Sequence, residues 1–241
     1  MIPYDAIQTI AKRYQTEVRI VVREYIQHSF LSALYQIKAS EQLLFKGGTA
    51  LRVIYASPRF SEDVDFTGVN IRSARAIEKA FIGAISQLEQ SGFRMNIVEA
   101  KETTGGYLGI LAYQAYGLDE QMKFEVSLRR GKERGEVTTV TSDFLPPYTL
   151  TYVGGEGLAR GKIAALLDRG KPRDWYDFYF ILRHHELRRY VRSSEVARAR
   201  EALEKTDINF KSVSVLLPQS HHVILKDFKR NLARELGAYH P

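Results

Sequence analysis

Apolar residues recur at helical spacing through residues 4 to 40. Val18, Ile20, Val21, Val22, Tyr25 and Ile26, then Phe30, Leu31, Leu34 and Ile37, predict two helices there. Ser73 to Gln90 repeats the pattern, with Ala76, Ile77, Ala80, Phe81, Ala84, Ile85 and Leu88 on one broad face and Gly92 at the end. Phe93 to Ala100, Tyr107 to Tyr113 and Met122 to Arg129 instead alternate or run apolar, which predicts strands; Thr103-Thr104-Gly105-Gly106 supplies a turn between two of them. Gly131 to Thr141 reads as a charged turn and a polar strand, and Pro146-Pro147 as a connector. After Gly154-Gly155 the chain is helical again, broken at Gly170-Lys171-Pro172, with a last helix from Val223 to Leu236. The expected fold is α+β: a mixed sheet flanked by helices over residues 1–150, then a mainly helical domain over 151–241.

One stretch, residues 43–67, combines several of these signals. Leu43-Leu44-Phe45 is a short buried-strand run, and Gly47-Gly48 then lets the backbone turn and approach a ligand closely. Thr49 can cap the brief helix that follows, which Pro58 stops. A strand, a glycine turn and a helix N-terminus present N–H groups and a positive dipole end to a phosphate, with Lys46 adding charge. Phe60 to Phe66 reads as a second strand on which the period of two puts Asp63 and Asp65 on one face and Val64 towards the core. Two carboxylates so placed repel one another unless a divalent cation such as Mg²⁺ holds them. Taken singly, a glycine hairpin and an acidic surface strand would explain each half.

Helical geometry brings a second group of charges together. Lys162 and Arg169 lie seven residues apart and so return to nearly one face, while Ile163, Leu166 and Leu167 fill the other. In the next helix Asp174 and Asp177 stand at i,i+3, and Arg173 and Asp177 at i,i+4. Acids at a helix N-terminus are favoured by the dipole without any function.

Composition removes several classes. The 241 residues contain no cysteine, which excludes disulfides and thiolate metal sites, and the six histidines lack zinc spacing, so a metal must sit on oxygen ligands. No run approaches the roughly 20 apolar residues of a membrane span, and the N-terminal residues lack a signal-peptide core, which points to the cytoplasm. A net charge of +7 suits a polyanionic partner such as RNA. Arg188, Arg189, Arg192, Arg198 and Arg200 concentrate that charge, although a solvated face is the commoner meaning of such a run.

KGGTALRVIY followed by PRFSEDVDF closely resembles the AbiEii/AbiGii-type toxin family, which includes the MenT-type toxins and belongs to the polymerase-β-like nucleotidyltransferase superfamily. The resemblance implies that Gly47 and Gly48 hold a triphosphate and that Asp63 and Asp65 bind Mg²⁺. It also implies a third carboxylate on a strand beside them, and Glu125, on the polar face of Met122 to Leu128, is the residue available. An ion pair with Lys123 or Arg129 would explain Glu125 as well. KIAALLDR and PRDWYDFY match the second half of the family signature, covering roughly residues 41 to 182 in all. That match implies phosphate contacts for Lys162 and Arg169 and a catalytic need for Asp174, with Arg173 and Asp177 in support; Asp177 is expected to orient Arg169 or Arg173.

The implied activity is Mg²⁺-dependent transfer of NMP from an NTP to an RNA acceptor, the tRNA 3′ end, by a toxin that blocks translation and has a cognate antitoxin. In this reading the helical domain completes the active site. Nucleotidylation of a protein, transfer of a γ-phosphoryl group, and a non-catalytic nucleotide- or RNA-binding regulator are the rivals.

Overall fold

The computed structural model describes residues 1–71, 73–129 and 134–239. The start of the turn expected at Gly131 lies outside the described residues. The chain divides into two compact units: residues 1–56 with 60–153, and residues 57–59 with 154–241.

The first unit is built on a mixed seven-stranded sheet. In chain order it contains α1 (Tyr4–Tyr14), α2 (Val18–Leu34), β1 (Leu43–Lys46), α3 (Gly47–Tyr55), β2 (Val64–Val69), α4 (Ala74–Gln90), β3 (Arg94–Thr103), β4 (Gly106–Ala115), β5 (Leu118–Arg129), β6 (Glu136–Val140) and β7 (Tyr148–Tyr152). The strand order is β3-β4-β5-β2-β1-β7-β6. Helix α2 is buried on nearly every face from Ile20 to Leu34, and it takes Glu24, Gln27, His28 and Ser29 into the interior with its apolar residues. It packs with α4, whose N-terminus is capped as Ser73 Oγ accepts from the Arg75 N–H. Aromatic rings join these helices to the sheet: Phe30 lies 4.3 Å from Phe124 and 5.6 Å from Phe81, and Phe66 lies 5.9 Å from Phe81, centroid to centroid.

Two arginines on the helices of this unit are held by buried or half-buried partners. Arg23 is largely buried and pairs with Glu62 and Glu120. Arg52 on α3 donates through Nε to Glu24 on α2 at 2.6 Å and stacks over Phe60 at 4.0 Å, which anchors the short helix after the glycine turn.

Sequence distance is bridged where the sheet needs it. β1 pairs antiparallel with β2 and parallel with β7, with Phe45 opposite Tyr152. β2 pairs parallel with β5 in an unbroken register from Val64↔Phe124 to Val69↔Arg129. The second strand of the central stretch starts at Val64, so Asp65 lies within it and Asp63 just before it.

The second unit contains α5 (Gly154–Arg169), α6 (Pro172–Arg183), α7 (Ser193–Lys205) and the short α8 (Lys211–Ser214), α9 (His222–Lys226) and α10 (Phe228–Gly237). Pro172 at the first position of α6 needs no N–H partner and sets the restart after Gly170. Trp175, Tyr176, Phe178, Ile181 and Leu182 make α6 the buried centre of this unit. Trp175 donates its indole N–H to the Gly170 carbonyl at 3.1 Å, and Phe228 packs 5.4 Å from Tyr179 and 4.4 Å from Phe210. The single last helix expected from Val223 to Leu236 is two, because Asp227 leaves helical geometry at φ −120° and ψ 30°. No described helix is long and apolar enough to cross a membrane.

Candidate active site

The glycine turn and the paired acids form one object in the first unit. Gly47 opens α3 with φ +85°, a conformation that side-chain-bearing residues rarely adopt. A Cβ at Gly47 would stand 2.1 Å from Asp65 Oδ2, so the carboxylate lies directly over the turn. Register extends the arrangement: Lys46 opposes Asp65 across β1 and β2, and Asp65 opposes Glu125 across β2 and β5. Lys46, Asp65 and Glu125 thus stand in one row over three strands. Lys46 Nζ lies 3.1 Å from Ser127 Oγ.

Thr49 has a different task from the expected cap. Lys46 stands at the N-cap of α3 without a side-chain capping bond, and Gly47 and Gly48 are themselves its first turn. The buried Thr49 hydroxyl donates to the Asp63 carbonyl, tying the helix to the chain entering β2. The Lys46 side chain leaves the cap of α3 open, and the first N–H groups of the helix stand at the positive end of its dipole, as in an anion site.

Lys123 shows where the acids converge. Its ammonium lies 2.9 Å from Glu125 Oε1 and 3.5 Å from Asp63 Oδ2. The ion pair considered for Glu125 is present and includes Asp63. Hydrogen bonding to Glu125 raises the Lys123 pKa, burial works against it, and the charge of Asp63 adds to the rise. Among the described residues no three acidic or histidine side chains close round one point. The donors are nonetheless all carboxylate oxygens, and two of them share one cation, which fits a hard divalent ion by chemistry and by this ammonium in its place.

The second unit holds its acids in the opposite way. Asp174 and Asp177 are wholly buried on α6. Asp174 accepts from Arg169 Nε at 2.9 Å and Nη2 at 2.8 Å, and from the Lys171 N–H at 3.1 Å, so one carboxylate both forks an arginine and caps the helix. Asp177 accepts from Arg59 Nε at 2.8 Å and Nη2 at 3.0 Å, and Lys162 Nζ lies 2.7 Å from its Oδ2. Burial opposes ionisation of Asp177, but the charges of Arg59 and Lys162 and their hydrogen bonds outweigh it and hold its pKa at about 2.

The partners of Asp177 correct the expectation that it orients Arg169 or Arg173. Arg169 faces Asp174, and Arg173 is exposed. The cations of α5 do face α6, but each meets its own acid. Sequence reasoning missed Arg59, which lies inside the PRFSEDVDF motif and 118 residues from its partner. The available signal was Asp177 itself, an acid inside the aromatic run Trp175 to Phe180 that cannot be buried without a cation.

Known proteins show the same architecture. MenT4, a nucleotidyltransferase toxin of Mycobacterium tuberculosis H37Rv, superposes with a TM-score of 0.67 at 17% identity, over 100% of this chain and 91% of its own. JHP933 from Helicobacter pylori superposes with a TM-score of 0.64 at 20% identity, over 92% of each chain. No curated protein matches in sequence. The fold is the one these nucleotidyltransferase-like structures share. A family model, the nucleotidyl transferase AbiEii toxin of type IV toxin–antitoxin systems, matches residues 29–238. The chain belongs to this AbiEii family of nucleotidyltransferase toxins.

Proposed function

We propose that the protein transfers a nucleoside monophosphate from an NTP to an RNA hydroxyl, the 3′ end of tRNA, and so blocks translation in the cytoplasm until a cognate antitoxin restrains it. The observation that carries this reading is Asp65 lying over Gly47, so that one turn offers N–H groups for phosphate and a carboxylate for the cation that accompanies it.

Asp63, Asp65 and Glu125 are the residues that would hold Mg²⁺, which when bound supplies charge neutralisation at the α-phosphate and the attacking oxygen. The N–H groups of Gly47, Gly48 and Thr49 hold the outer phosphates with Lys46 beside them. The acceptor oxygen bonds to the α-phosphorus as the bond to the bridging β-phosphate oxygen breaks. Pyrophosphate leaves, and the hydroxyl proton passes to solvent. Asp174 acts through Arg169, because both of its oxygens are engaged. Arg189, Arg192, Arg198 and Arg200 are exposed and suit the RNA backbone, where phosphate contacts set affinity.

Incubation with Mg²⁺ and each α-labelled NTP, with and without total tRNA, tests the proposal, with Asp65→Asn as control. Label on tRNA with the active protein alone is the expected result. Label on protein would move the acceptor to a protein hydroxyl, release of a nucleoside diphosphate would move the attack to the γ-phosphorus, and tight NTP binding without transfer would indicate a regulator.

A further inference from the structure

Lys123 stands among the acids that would hold the metal. It lies on β5 two residues before Glu125 and so on the same face of the sheet, and Asp63 immediately precedes β2, the strand that pairs with β5. Among the described residues every ion pair of Lys123 goes to Asp63 or Glu125, and every ion pair of these two acids goes to Lys123. Across to β4 the lysine faces Ile110, which offers its charge nothing. The ammonium is also the movable member of the group. It ends a flexible aliphatic stem, keeps 37% of its side chain in solvent, and meets each acid at a single oxygen and not through an arginine fork. A divalent ion taken by the same oxygens would repel it more strongly than another ammonium would.

We infer that Lys123 is a tethered cation that occupies the metal site of the metal-free protein and leaves it when Mg²⁺ binds. The inference rests on the reading of Asp63, Asp65 and Glu125 as metal ligands made above. It gives Lys123 two effects of opposite sign. The ammonium holds mutually repelling acids together when no metal is present, and its contacts must break before the metal enters, which raises the Mg²⁺ concentration at which the site fills.

Binding of Mn²⁺ in place of Mg²⁺, followed on the full chain by the loss of the free-ion EPR signal, reads this without NTP, acceptor or turnover. Lys123→Met should bind Mn²⁺ about tenfold more tightly than the unaltered protein, the scale of two half-exposed ion pairs that no longer have to be broken. Lys101→Met is the control. Lys101 opposes Leu108, which opposes Glu125, so the same charge is removed two strands or roughly 10 Å from Glu125, where salt screens it. Affinity there should stay within about twofold of the unaltered protein.

A second measurement needs no variant to fold. Acetylation of Lys123 in the unaltered protein by an N-hydroxysuccinimide ester, followed by mass spectrometry, should quicken about threefold on addition of Mg²⁺, because the amine is released from its ion pairs. Mn²⁺ affinity unchanged or weaker in Lys123→Met, an equal gain in Lys101→Met, or an acetylation rate that Mg²⁺ leaves unchanged or lowers overturns the inference. Should Lys123→Met fail to fold, the acetylation rate decides alone. If Asp65→Asn binds Mn²⁺ as tightly as the unaltered protein, the metal site falls and the inference with it; Mn²⁺ binding that needs Asp65, beside no gain in Lys123→Met, removes the inference alone.

Discussion

The acids on the sheet of the first unit and those on α6 of the second are the same chemical group in opposite surroundings. Asp63 and Glu125 keep 31% and 50% of their side chains exposed and share a lysine ammonium, whereas Asp174 and Asp177 keep 1% each and are saturated by arginine, lysine and backbone donors. An exposed, mutually repelling pair gains from a cation that comes from outside. A buried, fully paired acid has nothing left to offer a ligand and instead fixes the position of its own cations. Motif matching treats all four as site residues; burial separates those that receive from those that arrange.

The largest effect that could break this contrast is at Asp65. Asp65→Asn should lower transfer of labelled NMP by about a thousandfold or more with no loss of thermal stability, since it removes an electrostatic contribution to the reaction and not a packing contact. Asp177→Asn should behave in reverse order, losing about 3–5 kcal/mol in denaturant unfolding because Arg59 and Lys162 keep buried charge without its partner. Equal stability losses at the two positions would end the distinction.

Gly47→Ala comes next. Its Cβ collides with Asp65 and its φ is unfavourable, so transfer should fall about a hundredfold, while stability falls by only about 1–3 kcal/mol. Normal turnover in this variant would show that Asp65 need not lie over the turn.

Acid titration sharpens the comparison from the side of the second unit. The Asp177 pKa is depressed to about 2 from an ordinary value of 3.8, so its contribution is complete above about pH 4 and is lost as pH falls towards 2. Unfolding free energy should therefore drop by about 2 kcal/mol over that window, and Asp177→Asn should remove this part of the slope. An unchanged slope in the variant would mean that Asp177 is not held ionised by its partners. The smallest effect is expected at Glu125, where Glu125→Gln should raise the Mg²⁺ concentration for half-maximal transfer about tenfold. No change there would leave Glu125 as a partner of Lys123 only.

Much of this was legible before any coordinates. Helical periodicity marks α1, α2 and α4, alternation marks β3 to β5, and Gly170 with Pro172 marks the break between α5 and α6, because each depends on neighbours within a few residues. The glycine turn and the two acids after it were legible for the same reason. What was not legible depends on distant partners: the Thr49 hydroxyl goes to Asp63 and not to its own helix, and Asp177 finds Arg59 across 118 residues. The break at Asp227 has no proline or glycine to announce it, and the residue simply adopts another backbone region.

The place of β1 between β2 and β7 also sets a clock. Phe45 has its partner Tyr152 only after roughly a hundred further residues have been made, which at about 5–20 residues per second means some 5–20 seconds on the ribosome. Until then the strand that delivers the glycine turn lacks one of its two neighbours. A toxin built in this order cannot be finished early, and its maker has that interval in which nothing harmful yet exists.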